Sequence, residues 1–285
     1  MVTKPAGGLL RATARSPIGI FDSGVGGLSV LRAIRQMLPG EDLIFLADQA
    51  HVPYGSRSLE QVRAFSDAIT CFLLSQGAKL IVVACNTASA AALHYLRQVF
   101  PQTLFVGMEP AVKPAAEQTH SGVVGVLATP ATFQGALYAS VIERFANGVT
   151  VLQDTCPGLV MAIENGQLDG AQVRTILENA LQPMLDQGID TVVLGCTHFP
   201  FVIPLIEEIV GPQVRVIDPA PAVARQVGRL LEMSELLSIS KDLGQTRFLT
   251  TGDPDQMGSL LPKLIGQASQ TQPARWEARQ LVSDI

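Results

Sequence analysis

No apolar run in the chain approaches the roughly 20 residues that a membrane-crossing helix needs. Stretches such as Leu80–Cys85 and Val192–Leu194 are far shorter and read as buried strands. Charge is scarce at 16% of residues, and aromatic residues make up only 5%. The charge balance is acidic, −5 overall, with no lysine- or arginine-rich run to offset it. That excludes a dedicated nucleic-acid binder, which would present a basic face. The cysteines at 71, 85, 156 and 196 form no CxxC pair, so neither a disulfide scaffold nor a close-paired zinc site is expected. Cys71 reads as a small buried hydrophobe. Residues 1–16 carry Lys4, Arg11 and Arg15 without an acid, but lack the apolar stretch of a secretory signal. They read as a flexible extension on a cytoplasmic protein. What is present is a high hydrophobic fraction, 47% of 285 residues. That is enough for one large or two ordinary α/β domains with a substantial core.

Short β-branched runs alternate with longer helical patterns, which predicts α/β architecture with parallel strands covered by helices. Strands are expected at Ile18–Phe21, Leu43–Ala47, Leu80–Ala84, Leu104–Val106, Val123–Leu127, Val149–Leu152, Thr191–Leu194, Val214–Ile217 and Arg247–Thr250. Helices are expected at Leu59–Ser75, Ser89–Val99, Gln172–Gln187 and Phe201–Val210, among others. Two pairs of strand ends echo one another. Ile18-Gly-Ile-Phe-Asp-Ser resembles Val124-Gly-Val-Leu-Ala-Thr, and Ile81-Val-Val-Ala-Cys-Asn-Thr resembles Val192-Val-Leu-Gly-Cys-Thr-His. The offsets, 124 − 18 = 106 and 192 − 81 = 111, are nearly equal. Two similar doubly wound parallel-sheet domains related by pseudo-twofold symmetry are therefore expected. The cleft between them would be lined by the carboxyl ends of the strands.

In that arrangement Cys85 and Cys196 face one another. Each follows an apolar strand and precedes a predicted helix, whose dipole would lower the thiol pKa. A lone cysteine in such a turn is as readily a buried filler, but a matched pair suggests two-sided proton transfer. Taking an α-proton from one face of an amino acid and returning one to the other needs two opposed acid/base groups near working pH. Asp22 and Ser23 end the first strand beside Cys85, and His198 lies two residues beyond Cys196. Asp22 could instead be a helix cap and His198 an ordinary exposed histidine. The glycines at 24, 26 and 27 do not give a GxGxxG dinucleotide fingerprint. They are expected to let the backbone approach a small acidic substrate.

Taken together, Ile20-Phe-Asp-Ser-Gly-Val-Gly-Gly-Leu-Ser, Val52-Pro-Tyr-Gly, Val83-Ala-Cys-Asn-Thr-Ala-Ser, Cys156-Pro-Gly-Leu-Val, Ile163-Glu-Asn-Gly, Leu194-Gly-Cys-Thr-His-Phe-Pro and Thr250-Thr-Gly-Asp resemble the aspartate/glutamate racemases, in particular their glutamate branch. The resemblance runs from about Ile18 to Asp253. It implies racemisation of L-glutamate to D-glutamate for peptidoglycan, without pyridoxal phosphate, another cofactor or a metal. It implies Cys85 and Cys196 as the acid/base pair, with Asp22, His198 and Glu164 assisting. Substrate contacts implied by the family motifs are Asp22, Ser23, Tyr54, Gly55, Asn86, Thr87, Thr197 and His198. Residues 17–109 plus 219–285 would form one domain and 110–218 the other. The family commonly forms homodimers; no nucleic-acid or membrane partner is implied. His51 and His94 read as surface residues.

Four other functions compete. A sister racemase would act on aspartate or another small amino acid. A pyridoxal phosphate enzyme needs a Schiff-base lysine, and Lys79 and Lys113 are the only lysines between Lys4 and Lys241. A thiol hydrolase pairing Cys196 with His198 would leave Cys85 idle. A small-molecule binding protein with the same cleft would not need both cysteines.

Overall fold

The structure, a computed structural model, describes residues 12–283, the side chain of Leu137 excepted. Residues 1–11 of the expected extension lie outside the described residues, whereas Ala14 is fastened by its carbonyl to Lys79 Nζ at 2.7 Å. The strands are β1 (Ile18–Asp22), β2 (Leu43–Ala47), β3 (Leu80–Val83), β4 (Leu104–Gly107), β5 (Val123–Ala128), β6 (Thr150–Asp154), β7 (Thr191–Gly195), β8 (Arg215–Ile217), β9 (Thr246–Thr250), β10 (Thr271–Pro273), β11 (Arg275–Glu277) and β12 (Gln280–Val282). The helices are α1 (Leu28–Met37), α2 (Leu59–Ser75), α3 (Asn86–Val99), α4 (Val112–Gln118), α5 (Pro130–Gln134), α6 (Ala136–Phe145), α7 (Leu159–Glu164), α8 (Ala171–Leu185), α9 (Ile203–Val210), α10 (Ala220–Met233) and α11 (Pro254–Ile265).

Two parallel sheets organise these elements. One runs β10-β9-β2-β1-β3-β4 and the other β6-β5-β7-β8; β11 and β12 make a separate antiparallel hairpin. The orders β2-β1-β3-β4 and β6-β5-β7-β8 are the same path repeated, with β1 matching β5 and β3 matching β7. These are the two strand pairs whose sequences echo each other. In β2, Leu43, Phe45 and Ala47 belong to one apolar cluster, while Ile44 and Leu46 belong to the cluster across the sheet. Burial on both faces explains why these strands read as continuous apolar runs rather than alternating ones. Each fully buried Phe or Leu of this kind contributes about 1.5–3 kcal/mol through removal from water.

All nine expected strands form, with ends shifted by a residue or two. β10, β11 and β12 escape a pattern-based reading because each is only three residues long. α3 starts three residues earlier than its sequence suggests, because Cys85 itself caps it by accepting from the Ala88 N–H at 3.4 Å. The segment expected as a helix from Phe201 begins instead as a 3-10 turn at Phe199–Val202, and α9 follows at Ile203. Pro200 and Pro204 each lack the N–H that a continuous helix would use. Among the described residues no helix is long and apolar enough to cross a membrane.

Candidate active site

The carboxyl ends of β1, β3, β5 and β7 converge on one small cavity. Its walls include Ser23, Tyr54, Gly55, Cys85, Asn86, Thr87, Thr129, Cys196, Thr197 and His198; of the residues expected from the sequence, Asp22 and Glu164 lie behind these walls, Asp22 bonded to Thr197 and Glu164 to His198. The cavity holds about 20 Å³, room for roughly one water.

On the β3 side, Cys85 is 5% exposed and its Sγ lies 4.0 Å from Ser23 Oγ. Asp22, fully buried, stands beside the same thiol. Its Oδ1 accepts from the Ser23 N–H at 2.6 Å, and its Oδ2 from Thr197 Oγ1 across the cleft at 2.9 Å. Burial pushes the Asp22 carboxyl up, against the opposing pull of the His198 charge and its hydrogen bonds. Burial and the neighbouring Asp22 likewise push the Cys85 thiol well above its ordinary value. The thiol-lowering effect expected of the α3 N-terminus is therefore overridden here. Desolvating a charge costs more than one helix end returns.

The β7 side is built differently. Cys196 precedes a 3-10 turn rather than an α-helix, and its Sγ lies 3.7 Å from His198 Nδ1. The other ring nitrogen, Nε2, sits 2.6 Å from Glu164 Oε1. Both His198 and Glu164 are buried, so His198 is not the exposed histidine that the sequence left open. Burial opposes charge on His198, but its bonds to Cys196 and Glu164 prevail and hold the imidazole well above its usual 6.5. Burial also opposes charge on Glu164, yet hydrogen bonds from His198, Gln49 and the Val25 N–H, with the His198 charge, keep it below its usual 4.5. A doubly protonated ring donates on both sides, to carboxylate and to sulfur.

The loop after β1 locks these two sides together. A Cβ at Gly24 would lie 1.9 Å from Glu164 Oε1, and one at Gly26 would lie 2.5 Å from His198 Nδ1. Gly24 and Gly26 thus admit Glu164 and His198 from the other half rather than a ligand, and Gly27 packs against Asp22, Phe45 and Ala84 of its own half, which corrects the sequence expectation. Ser29 Oγ donates to the Thr197 carbonyl at 2.9 Å, and Val25 N donates to Glu164 Oε1 at 2.8 Å. Asn86 is different: both atoms of its buried amide lack any hydrogen-bond partner. Leaving such a group unpaired costs about 1–3 kcal/mol, so its amide is suited to a ligand's polar groups.

The order of the motifs, the repeated strand path and the two facing thiols all point to one lineage, and residues 18–227 match the profile of the Asp/Glu/hydantoin racemases. The chain belongs to the Asp/Glu/hydantoin racemase family. A glutamate racemase of Roseiflexus sp. (strain RS-1) is 51% identical over 87% of this chain and 92% of its own length. Among solved structures, the Escherichia coli glutamate racemase, in complex with L-glutamate and the activator UDP-MurNAc-ala, matches with a TM-score of 0.79 and 34% identity. That match covers 90% of this chain and 97% of the other. The Francisella tularensis glutamate racemase in complex with D-glutamate matches with a TM-score of 0.79 and 30% identity, over 93% of this chain and 98% of that one.

Several residues of this racemase site were not singled out from sequence. Thr129 bonds Thr87 Oγ1 at 3.0 Å across the cleft; it is the β5 counterpart of Ser23, and the echoing strand ends held the signal. Gln49, in a stretch the sequence left unremarked, donates to Glu164 Oε2 at 3.0 Å while accepting from Thr250 Oγ1 at 2.7 Å. Nothing in one sequence marks a glutamine 115 positions away as Glu164's partner. Asp48 receives Tyr54 Oη at 2.6 Å, and His51 Nδ1 at 2.9 Å. His51 is thus half-buried and stacked on Phe65 rather than on the surface, while His94 is exposed as expected. Cys71 is only partly buried, contrary to expectation. Cys156 is buried with a φ of 43°, a strained conformation for a non-glycine residue. Lys79 lies in a buried ion pair with Glu41 at 2.6 Å, outside the cavity walls.

Proposed function

We propose that the protein racemises glutamate by passing protons between two thiols, one on each face of the substrate α-carbon. The observation that carries this reading is the pairing itself: Cys85 and Cys196 end equivalent strands of the two sheets and line one cavity. Racemisation requires an acid and a base at once, so one sulfur begins as thiol and the other as thiolate. Burial beside Asp22 favours the thiol at Cys85. The His198–Glu164 pair places a donor toward the sulfur of Cys196, which suits a thiolate there. For one enantiomer, the Cys196 thiolate removes the α-proton and the Cys85 thiol delivers another to the opposite face. For the other enantiomer the roles reverse.

The α-proton is acidic only when charge can develop on the adjoining carboxyl group, so that carboxylate must be held by donors. The Asn86 amide and the N–H groups at the start of α3 are suitable, and Thr87, Thr129 and Thr197 offer hydroxyls. Ser23 and Asp22 suit the ammonium. Tyr54 and Gly55 form the opposite rim. A cavity of about 20 Å³ does not admit glutamate, so the sheets separate for entry, breaking cross-cleft bonds such as Thr87–Thr129 and Thr197–Asp22. We read residues 17–109 with 219–285, and 110–218, as the two moving units. The product would supply D-glutamate for peptidoglycan in the cytoplasm, with no cofactor and with a homodimer as the working form.

Relatives named for glutamate support the substrate. Circular dichroism of the purified protein with L-glutamate and separately with L-aspartate, without pyridoxal phosphate, tests it. Loss of optical signal with glutamate alone is expected. Loss with aspartate alone would overturn the substrate, and loss with neither would overturn the reaction.

A further inference from the structure

A second cavity, of about 380 Å³, opens between α2 and the β11–β12 hairpin. That size falls in the range of small-molecule sites, and the first cavity does not approach it. Its walls combine the rings of His51, Phe65 and Trp276 with Arg279 at the hairpin turn. The rings form a cluster: His51 lies stacked 3.9 Å from Phe65 and edge-on 5.1 Å from Trp276. Arg279 is exposed and, among the described residues, makes no salt bridge or hydrogen bond. Glu60 also lines the cavity, its carboxyl held below its usual 4.5 by its own backbone N–H and by Ser58. An unpaired guanidinium beside aromatic walls suits a ligand that combines a flat ring with an anionic group.

The cavity is wired to the cleft through one carboxylate. Asp48, fully buried, accepts from Trp276 Nε1 at 2.8 Å, from Thr251 Oγ1 at 2.8 Å and from Tyr54 Oη at 2.6 Å, with His51 Nδ1 2.9 Å away. Trp276 and His51 are walls of the second cavity; Tyr54 is a wall of the first. Neither ring can shift without reorganising the bonds that hold the Tyr54 rim.

We propose that this cavity is an effector site for a small planar anion, coupled to the glutamate cleft through Asp48. Ligand binding here is independent of the reaction assigned above; only the coupling rests on that reading. The effect on glutamate affinity is reciprocal, since two sites that share one equilibrium must influence each other equally.

Trp276 is the chain's one tryptophan, so its fluorescence reports this cavity directly. AMP supplies ring and anion together, benzoate a smaller version of both, adenosine the ring alone and inorganic phosphate the anion alone. Saturable change with AMP or benzoate is expected, at least about tenfold tighter than with either fragment, and weakened about tenfold in Arg279→Gln. A nucleotide source is indicated if AMP is the tighter of the two, and an aromatic carboxylate if benzoate is. No saturable change with either up to about 10 mM would overturn the site. So would binding unchanged by Arg279→Gln, or phosphate alone binding as tightly as AMP. With the ligand bound, the KM for glutamate should shift at least about twofold in the native chain and not in Arg279→Gln. An unchanged KM in a protein that racemises glutamate would overturn the coupling, and a protein that binds the ligand but does not racemise would fault the assigned reaction instead.

Discussion

The two sheets share a strand order, yet the thiols at their equivalent ends have unlike neighbours. Cys85 sits beside an aspartate and a serine from the adjacent strand end, and burial keeps its proton on. Cys196 is backed by an imidazole and a carboxylate contributed by its own turn and by α7. The repeated strand path places the two thiols at equivalent ends, and the residues around them differ: burial beside Asp22 pushes the Cys85 thiol up, while Cys196 has an imidazole nitrogen 3.7 Å from its sulfur. A symmetric frame with asymmetric chemistry is what a reaction that leaves the α-carbon's substituents unchanged can use.

The hardest blow to that comparison is to remove either thiol. Cys85→Ala and Cys196→Ala should each lower kcat for racemisation by about 10²–10⁴-fold, the usual worth of a positioned acid or base. Far-ultraviolet circular dichroism should be unchanged, because each change deletes one small buried atom. If only one substitution matters, the two halves are not functional equivalents.

Next in size is the His198–Glu164 pair, which exists on one side only. His198→Gln leaves a buried carboxylate without its cation and should cost about 3 kcal/mol of stability at neutral pH. Its pH dependence has a defined sign. The raised imidazole contributes stability in full below its ordinary 6.5 and loses it as pH climbs through the higher folded value. The lowered Glu164 contributes in full above its ordinary 4.5 and loses it as pH falls through the folded value. Melting temperature against pH should therefore fall on both limbs for the native chain, with the alkaline fall absent in His198→Gln. An alkaline limb that survives the substitution would show that the ring is not charged in the fold.

Smaller effects sharpen the same contrast. Gly26→Ala puts a methyl 2.5 Å from His198 Nδ1 and 2.6 Å from Thr197 Oγ1. It should cost about 1–3 kcal/mol and lower kcat, read by thermal melts and by kinetics. Gln49→Met removes the bond to Glu164 Oε2 and should lower kcat by about tenfold with KM nearly unchanged, since a hydrogen bond to a charge is worth about 1.5–3 kcal/mol. The alkaline limb of its rate profile should move to lower pH, because Glu164 then holds the imidazolium less firmly. A change in KM alone would assign Gln49 to substrate binding instead.

Much of this was legible in advance, and for physical reasons. Strands such as Leu43–Ala47 are buried on both faces and so carry an unbroken apolar signature. Cys85 and Cys196 were found because their turns repeat one pattern at nearly one offset. The purpose of Gly24 and Gly26 was misread, since whether a glycine makes room for a ligand or for Glu164 depends on the other sheet. Gln49 and Trp276 were out of reach because their partners lie far along the chain, 115 positions for Gln49 and Glu164 and 228 for Trp276 and Asp48. The thiol of Cys85 was expected to be acidic from its helix end alone; burial and Asp22 reverse that, and neither is visible from local sequence.

The central claim, two bases on opposite faces, is tested most directly by running L-glutamate to low conversion in deuterated water and measuring deuterium at the α-carbon of each enantiomer. The expected result is D-glutamate carrying deuterium while the remaining L-glutamate stays almost free of it, because the thiol that removes the proton is not the thiol that supplies the next one. Deuterium appearing equally in both enantiomers, or D-glutamate that retains the original proton, would mean one group serves both faces and would contradict the assignment of Cys85 and Cys196 as partners.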